Sequence, residues 1–567
     1  MMRGRTERMA CVNTATINGV EALPVTVEVS IGSGLPGISI VGMPDLAVQE
    51  ARLRVRLALI AAGFEVPQRH VVVNLAPSSL KKIGSGFDLP IALGILIATE
   101  QLAPELIGEY VCVGELSLDG SVRPVKGLLA YEKHAHEAGF GLLTAPVEQG
   151  VYEFSESEHF CIASLADLHT GEFMLPNART TQHAEMDFDF CEIDGNDVAK
   201  RALQIAAAGS HGILLVGPPG SGKSMMAARL PTILPPLDKN ERIESAMIHS
   251  VAGLSFDGIL AGFQPFRSPH HSASQAGLMG GGSPASPGEV SLAHSGVLFL
   301  DEMPEFGNAV LQMLRQPIET GLVSLARARG TVVFPARFLL VGAANPCPCG
   351  YYGDAQHACR CTPAQITNYQ GRIGGPLMDR FDLIVKVWRS DPTQVLRTGK
   401  GTSSMVLREG VLQARAYREK REAAFAEMSE DMLAHHGKGK GKNKSMEPIT
   451  KPVEELSAHV GEVSEACDVY DGGAVCEACD GGEVRDVCSE GEAPTGKGAR
   501  LIASCFLGAK ELSCLEDMAR HYHLSGRGIM RALAVARTIA DIEQQEKVSN
   551  EHLLEAITFR ADGEDGL

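Results

Sequence analysis

The run Gly217-Pro218-Pro219-Gly220-Ser221-Gly222-Lys223-Ser224 constrains this chain more than any other stretch of it. It fits the phosphate-loop pattern at every defined position. An apolar strand, Ile213 to Val216, precedes it, and a helix-compatible run, Met225 to Leu230, follows. The glycines let backbone N–H groups converge on phosphate oxygens, and the helix N-terminus adds positive potential. In such a loop Lys223 reaches the β- and γ-phosphates and Ser224 ligates Mg2+. From about Val198 to Trp388 helical stretches alternate with short apolar strands, including Val297 to Leu300 and Phe338 to Val341, which predicts a parallel sheet.

Further polar residues fall at the ends of these strands. Val297 to Leu300 runs into Asp301 and Glu302, the first suited to hold Mg2+ and the second to polarise an attacking water. The third strand leads to Asn345, which can orient that water or simply cap the turn before Pro346. Arg380 precedes the last strand of the sheet. It can reach a neighbouring subunit's nucleotide, or pair with Asp379 or Asp382. In the helical C-terminal third, Arg527 starts a helix and can cover the γ-phosphate, with Arg531 one turn later as the competitor.

These parts together resemble the YifB/ComM family of Mg-chelatase-like AAA+ ATPases. The most specific residues are Pro265 to His271, Gly280 to Gly282, Pro287 to His294 and Asn345-Pro346-Cys347-Pro348-Cys349-Gly350, with Val73 to Pro77 and Phe87 to Leu93 upstream. The resemblance implies an α/β chain with an AAA+ phosphate-loop core and a helical lid. An α+β domain resembling the Lon proteolytic-domain fold precedes them. The expected divisions are 1–175 for that domain, 176–195 for a linker, 196–395 for the core and 396–567 for the lid. The lid carries a disordered acidic insert at 429–497. The resemblance further implies Asn345 as sensor 1, Arg527 as sensor 2, Arg380 as a finger acting in trans, and a ring of subunits, expected to be a hexamer. Alignment with the Lon nucleophile loop sets Gly86 at the serine position and Leu129 at the lysine position. Ser85 and Lys126 lie close by, but the domain reads as non-proteolytic.

The formal charge of −18 says little about a polyanionic partner, because Val453 to Glu492 alone carries twelve carboxylates against the single Arg485. Local donors matter more. The Gly/Pro-rich excursion from Phe256 to Gly288 brings Arg267, His270 and His271, and a second hairpin, Gly321 to Pro335, has Arg327 and Arg329 at its turn. Both are candidates to grip a DNA backbone, single-stranded or branched; packing against a neighbour or a solvated turn are the plainer readings. These donors point to a motor acting on DNA, and the family resemblance implies branched or recombining DNA with helicase or branch-migration activity. A chelatase-type motor for metal insertion and a nucleotide-switched regulator are the alternatives. ATP and Mg2+ are the expected cofactors.

Fourteen cysteines with no export signal read as reduced thiols or metal ligands. Cys347, Cys349, Cys359 and Cys361 can close a tetrahedral zinc site, or stiffen a loop as free thiols; their Cys-x-Cys spacing is tighter than usual. Cys467, Cys476, Cys479 and Cys488 lie inside the acidic insert. No apolar run reaches the roughly 18 residues of a membrane helix, so a cytoplasmic protein is expected.

Overall fold

The computed structural model describes residues 9–147, 158–171, 173–175, 188–327, 330–354, 356–389, 401–436 and 497–564. Its centre is a five-stranded sheet with the spatial order Phe266–Arg267, Val297–Leu300, Leu339–Ala344, Ile213–Val216, Leu383–Lys386. Every pairing in it is parallel. Strand residues point alternately to opposite faces, so each strand feeds two cores. Ile213, Leu215, Val297, Phe299, Val341 and Val385 pack to one side with the helix Asp197–Gly209. Leu214, Val216, Leu298, Leu300, Leu340 and Ile384 pack to the other. Burial on both faces explains why these strands read as unbroken apolar runs rather than as alternating ones. The phosphate loop, the acidic pair and Asn345 all follow the C-terminal ends of adjacent strands, which gathers them along one edge.

The N-terminal part is a seven-stranded mixed sheet in the order Gly37–Val41, His70–Ala76, Glu21–Gly32, Met9–Asn18, Tyr110–Cys112, Gly141–Thr144, His159–Cys161. The helices Leu46–Ala61 and Asp88–Ala98 pack on it. Within the Phe87-Asp88-Leu89 motif, Asp88 is fully buried. It takes 2.7 and 3.0 Å hydrogen bonds from Arg54 and a third from the Leu116 amide, so this motif is structural. Helix Leu128–Ala138 packs its Leu128, Leu129 and Tyr131 against Leu237, Ala246 and Met247 of the central part. Gly127 N donates to Ser250 O across the same seam.

The C-terminal part is helical: Ser404–His436, Lys497–Cys505, Ala509–His521, Gly526–Ile542 and Asn550–Glu564. The sequence predicts a helical region from Gly498 to Glu546, with a helix starting at Ser525-Gly526-Arg527. The chain breaks it at Phe506 and again at His523, both with positive φ, and a left-handed residue ends a helix. The first helix continues to His436, past the expected start of the insert at 429; residues 437–496, with Cys467, Cys476, Cys479 and Cys488, lie outside the described residues. Of the expected linker, 176–187 also lies outside them. Its end is anchored: Phe190 is fully buried, and Asp189 accepts from the amides of Cys191 and Ser404.

The excursion Phe256 to Gly288 is not one hairpin. It supplies the edge strand Phe266–Arg267, the short helix Gln275–Met279 and a small ribbon pairing Gly280–Gly281 with Ser286–Pro287. Its glycines serve close backbone approach: a Cβ on Gly288 would lie 2.3 Å from Gly280 N and 2.4 Å from Leu278 O. The second expected hairpin is present, Leu322–Arg327 pairing with Gly330–Pro335. Val323 and Phe334 bury its base, whereas Arg327 near the tip is exposed and Arg329 lies outside the described residues.

Candidate active site

Gly217 leaves the strand where a Cβ would sit 2.0 Å from Val387 O, so only glycine fits. Gly220 and Gly222 then take φ of +77° and +90°, turning the loop into the helix Lys223–Arg229. Lys223 Nζ is buried and donates to Gly217 O (2.7 Å), Pro218 O (3.0 Å) and Asn345 Oδ1 (3.3 Å). Ser224 Oγ donates to Asp301 Oδ2 at 2.7 Å, so the two proposed Mg2+ ligands already converge. The Ser221 hydroxyl, in the loop's interior, is buried with no hydrogen-bond partner among the described residues. A buried hydroxyl of that kind is costly unless a ligand completes it. Together these residues fit a Mg2+-bound nucleoside triphosphate: the loop and Lys223 for its phosphates, Ser224 and Asp301 for the ion.

Glu302 is half exposed beside Asp301, with its amide donating to Asp301 Oδ1. Its φ of +49° is a left-handed conformation that costs a glutamate about 1–2 kcal/mol. His271 Nδ1 lies 3.5 Å from Glu302 Oε2, and the His270 and His271 rings are 4.1 Å apart. The segment singled out for substrate contact is thus in touch with the residue singled out for water activation.

Burial pulls the Lys223 ammonium down to about 8; Asp301 and Glu302 push it back up and Arg389 adds to the depression. An anionic phosphate beside Lys223 restores its proton. Above about pH 8, then, nucleotide binding takes up a proton, and affinity falls by up to about tenfold per pH unit as pH rises. Calorimetric titration near pH 9 in two buffers of different ionisation heat checks this. Equal binding heats in both would contradict it.

The other candidates are held by partners distant in sequence. Arg267 makes a bidentate pair with Glu289, at 2.6 and 2.8 Å. Arg380 pairs with Glu319, an ion pair the sequence did not suggest. Asp382 takes Arg531 (2.9 Å) and His211 (3.0 Å), and His211 also bonds Thr538, which ties the C-terminal helices to the sheet. Arg527 is exposed in the first turn of helix Gly526–Ile542, which Ser525 caps, and it has no ion pair among the described residues. Arg327 Nη2 approaches Gly281, so the hairpin tip meets the glycine-rich ribbon. In the N-terminal part the Ser85 hydroxyl donates to Glu115, while Lys126 packs on Gly253. Among the described residues of that part, no contact between Ser85 and Lys126 is formed.

Arg389 was not singled out by the sequence. It donates to Pro219 O through Nε (3.1 Å) and Nη2 (2.9 Å), stacks over Tyr351 at 5.4 Å, and approaches His357 and Asp354. A lone arginine after an apolar strand carries no local signal of such a contact.

Three family models match the chain: magnesium chelatase subunit ChlI over residues 189–395, a second segment of subunit ChlI over 27–149, and the ChlI C-terminal segment over 482–560. The YifB protein of Salmonella typhimurium is 37% identical over 98% of this chain and 97% of its own length. The competence protein ComM of Haemophilus influenzae is 36% identical over the same shares. A magnesium-chelatase 67 kDa subunit of Chlorobaculum parvum is 27% identical over 28% of this chain and 23% of its own. Among the described residues, no helix is long and apolar enough to cross a membrane.

Proposed function

This chain belongs to the YifB/ComM family of Mg-chelatase-like AAA+ ATPases, and from that premise we propose that it is a ring-forming cytoplasmic motor that hydrolyses ATP to move on branched or recombining DNA, with helicase or branch-migration activity. The observation that carries the reading is the contact of His271 with Glu302. A phosphate backbone drawn to exposed His270 displaces its ring neighbour His271 and so acts on the carboxylate that activates water. Turnover then responds to the polymer, as a motor requires and a simple nucleotide switch does not. Arg327, set against the same ribbon, and Arg329, its neighbour in the turn sequence, are the second grip. Arg267 stays with Glu289 and holds the segment's base in register.

A similar protein is named for competence, the state in which cells take up DNA, and its likeness runs the length of this chain. That favours DNA over the metal-insertion reading, for which the named chelatase subunit matches only a segment. In the ring, expected to be a hexamer, Arg380 exchanges Glu319 for a neighbour's γ-phosphate, and Arg527 covers it from the helical part. The N-terminal domain, Lon-like by resemblance, is non-proteolytic in this reading, since Glu115 occupies the Ser85 hydroxyl.

The test is ATP turnover with and without single-stranded, duplex and forked DNA. Forked DNA is expected to accelerate it, and Arg327→Ala/Arg329→Ala to bring the ratio with and without DNA close to one. Loss of two phosphate contacts also lowers the salt slope of DNA affinity by about two. If no DNA changes turnover of the parent protein, the DNA reading fails and the chelatase-type reading replaces it.

A further inference from the structure

Four sulfurs meet at one point directly after Asn345. Cys347 Sγ lies 3.4 Å from Cys349 Sγ and 3.7 Å from Cys359 Sγ, and the latter two are 3.6 Å apart. With Cys361, all four ligand atoms fall within 4.8 Å of one another. A disulfide needs about 2.05 Å, so none of these pairs is bonded. A tetrahedral ion with metal–sulfur bonds of about 2.3 Å sets its sulfurs about 3.8 Å apart, close to the spacing observed. An iron–sulfur cluster puts an inorganic core between its cysteines and needs wider separation.

The surroundings are those of a metal knuckle. Cys347-Pro348-Cys349-Gly350 closes a tight turn, Gly350 N donating to Cys347 O, and Gly350 takes φ of +84°. The amides of Tyr351 and Arg360 point at Cys349 Sγ, and that of Cys361 at Cys359 Sγ. Such N–H contacts orient thiolate ligands from outside the coordination sphere. Each Cys-x-Cys pair supplies two sulfurs, and the two pairs face each other.

The same loop bears on the phosphate loop. A Cβ on Gly350 would lie 2.6 Å from the Pro219 ring, so the Gly350 backbone packs directly on that ring. Arg389 joins them: it donates to Pro219 O while stacking on Tyr351 and approaching His357 of the cysteine loop.

We propose that Cys347, Cys349, Cys359 and Cys361 bind one zinc ion, and that this knuckle is a positioning element for the phosphate loop and Asn345. Zinc stiffens the cysteine loop, the loop fixes Pro219 through Gly350 and Arg389, and the cradle for the phosphates is held open. The proposal rests on the nucleotide site but not on DNA as the substrate.

The test uses the full chain, purified without a metal-affinity tag and dialysed against a chelator. Elemental analysis is expected to find zinc, and Cys359→Ser/Cys361→Ser to lose about one ion per chain relative to the parent. This difference sets aside any metal held by the cysteines of 453–492. Circular dichroism and melting of the variant report its folding. Where it does not fold, Co2+ exchanged into the parent is the second measurement, expected to give the absorption bands of a tetrahedral tetrathiolate. In the folded variant KM for ATP rises on the order of tenfold, with Gly350→Ala, which keeps all four sulfurs, raising KM without loss of zinc. Absence of zinc, zinc unchanged by the double substitution, iron in its place, or cobalt bands of another geometry overturns the site. Loss of zinc with KM unchanged overturns its positioning role. Loss of DNA stimulation alone affects only the motor reading.

Discussion

Glu302→Gln is expected to lower ATP turnover about 10²- to 10⁴-fold, the range removed when a general base is lost, while nucleotide binding survives. Glutamine keeps the size of the side chain but cannot take the proton of the attacking water. The groups that hold the nucleotide are separate from it: Lys223 with its three oxygen acceptors, and Ser224 bonded to Asp301. A drop in kcat with little change in ATP affinity is therefore the signature, read by steady-state turnover beside equilibrium binding. The substitution also removes one of the two carboxylates that push the Lys223 ammonium up against burial. Its ionisation then moves below about 8, and the alkaline loss of nucleotide affinity begins at lower pH. Turnover within tenfold of the parent would remove Glu302 from its role and return the question to Asp301.

Asp541→Ala is expected to cost about 3–5 kcal/mol of stability, a fall in melting temperature of about 10 °C. Asp541 is 3% exposed and serves two guanidinium groups. Arg421 bonds both its oxygens at 3.1 Å, and Arg537 approaches at 2.9 and 3.1 Å. Removing the carboxylate leaves two cations in an apolar setting among the C-terminal helices. Arg537 also donates to the carbonyls of Ser504 and Glu546, so it cannot swing out to water without abandoning them. Arg527 sits on the same helix, Gly526–Ile542, and turnover should fall with the melting transition. Thermal denaturation followed by circular dichroism checks the first part. An unchanged melting temperature would mean that the two arginines rehydrate freely.

How much could be read in advance differs sharply between elements. Ile213–Val216 and Val297–Leu300 were legible to the residue because a doubly buried strand is apolar at every position and ends where the polar site begins. The hairpin Leu322–Pro335 was legible from its two β-branched runs around Arg327 to Gly330. The excursion at 256–288 was misread as a hairpin, since a Gly/Pro-rich stretch does not reveal that two of its residues, Phe266 and Arg267, add a strand to the sheet. In the helical C-terminal third the helix start at Ser525 was legible, whereas the break at Phe506 was not: it turns left-handed without glycine, and nothing in its side chain announces it.

The sequence by itself determined the chemistry of the phosphate site, because the loop, Lys223 and Ser224 are contiguous and each is required by the geometry of a phosphate and its ion. It also carried the family, through motifs that are local strings. Only the tertiary structure decided which charged side chains are engaged. Arg267 pairs with Glu289 across 22 residues and Arg531 with Asp382 across 149. It alone brought His271 to Glu302, Arg389 to Pro219 and two Cys-x-Cys pairs to one point. Ion pairs and side-chain junctions of this kind depend on distance in space, which strand order and helix packing set and which no spacing along the chain encodes.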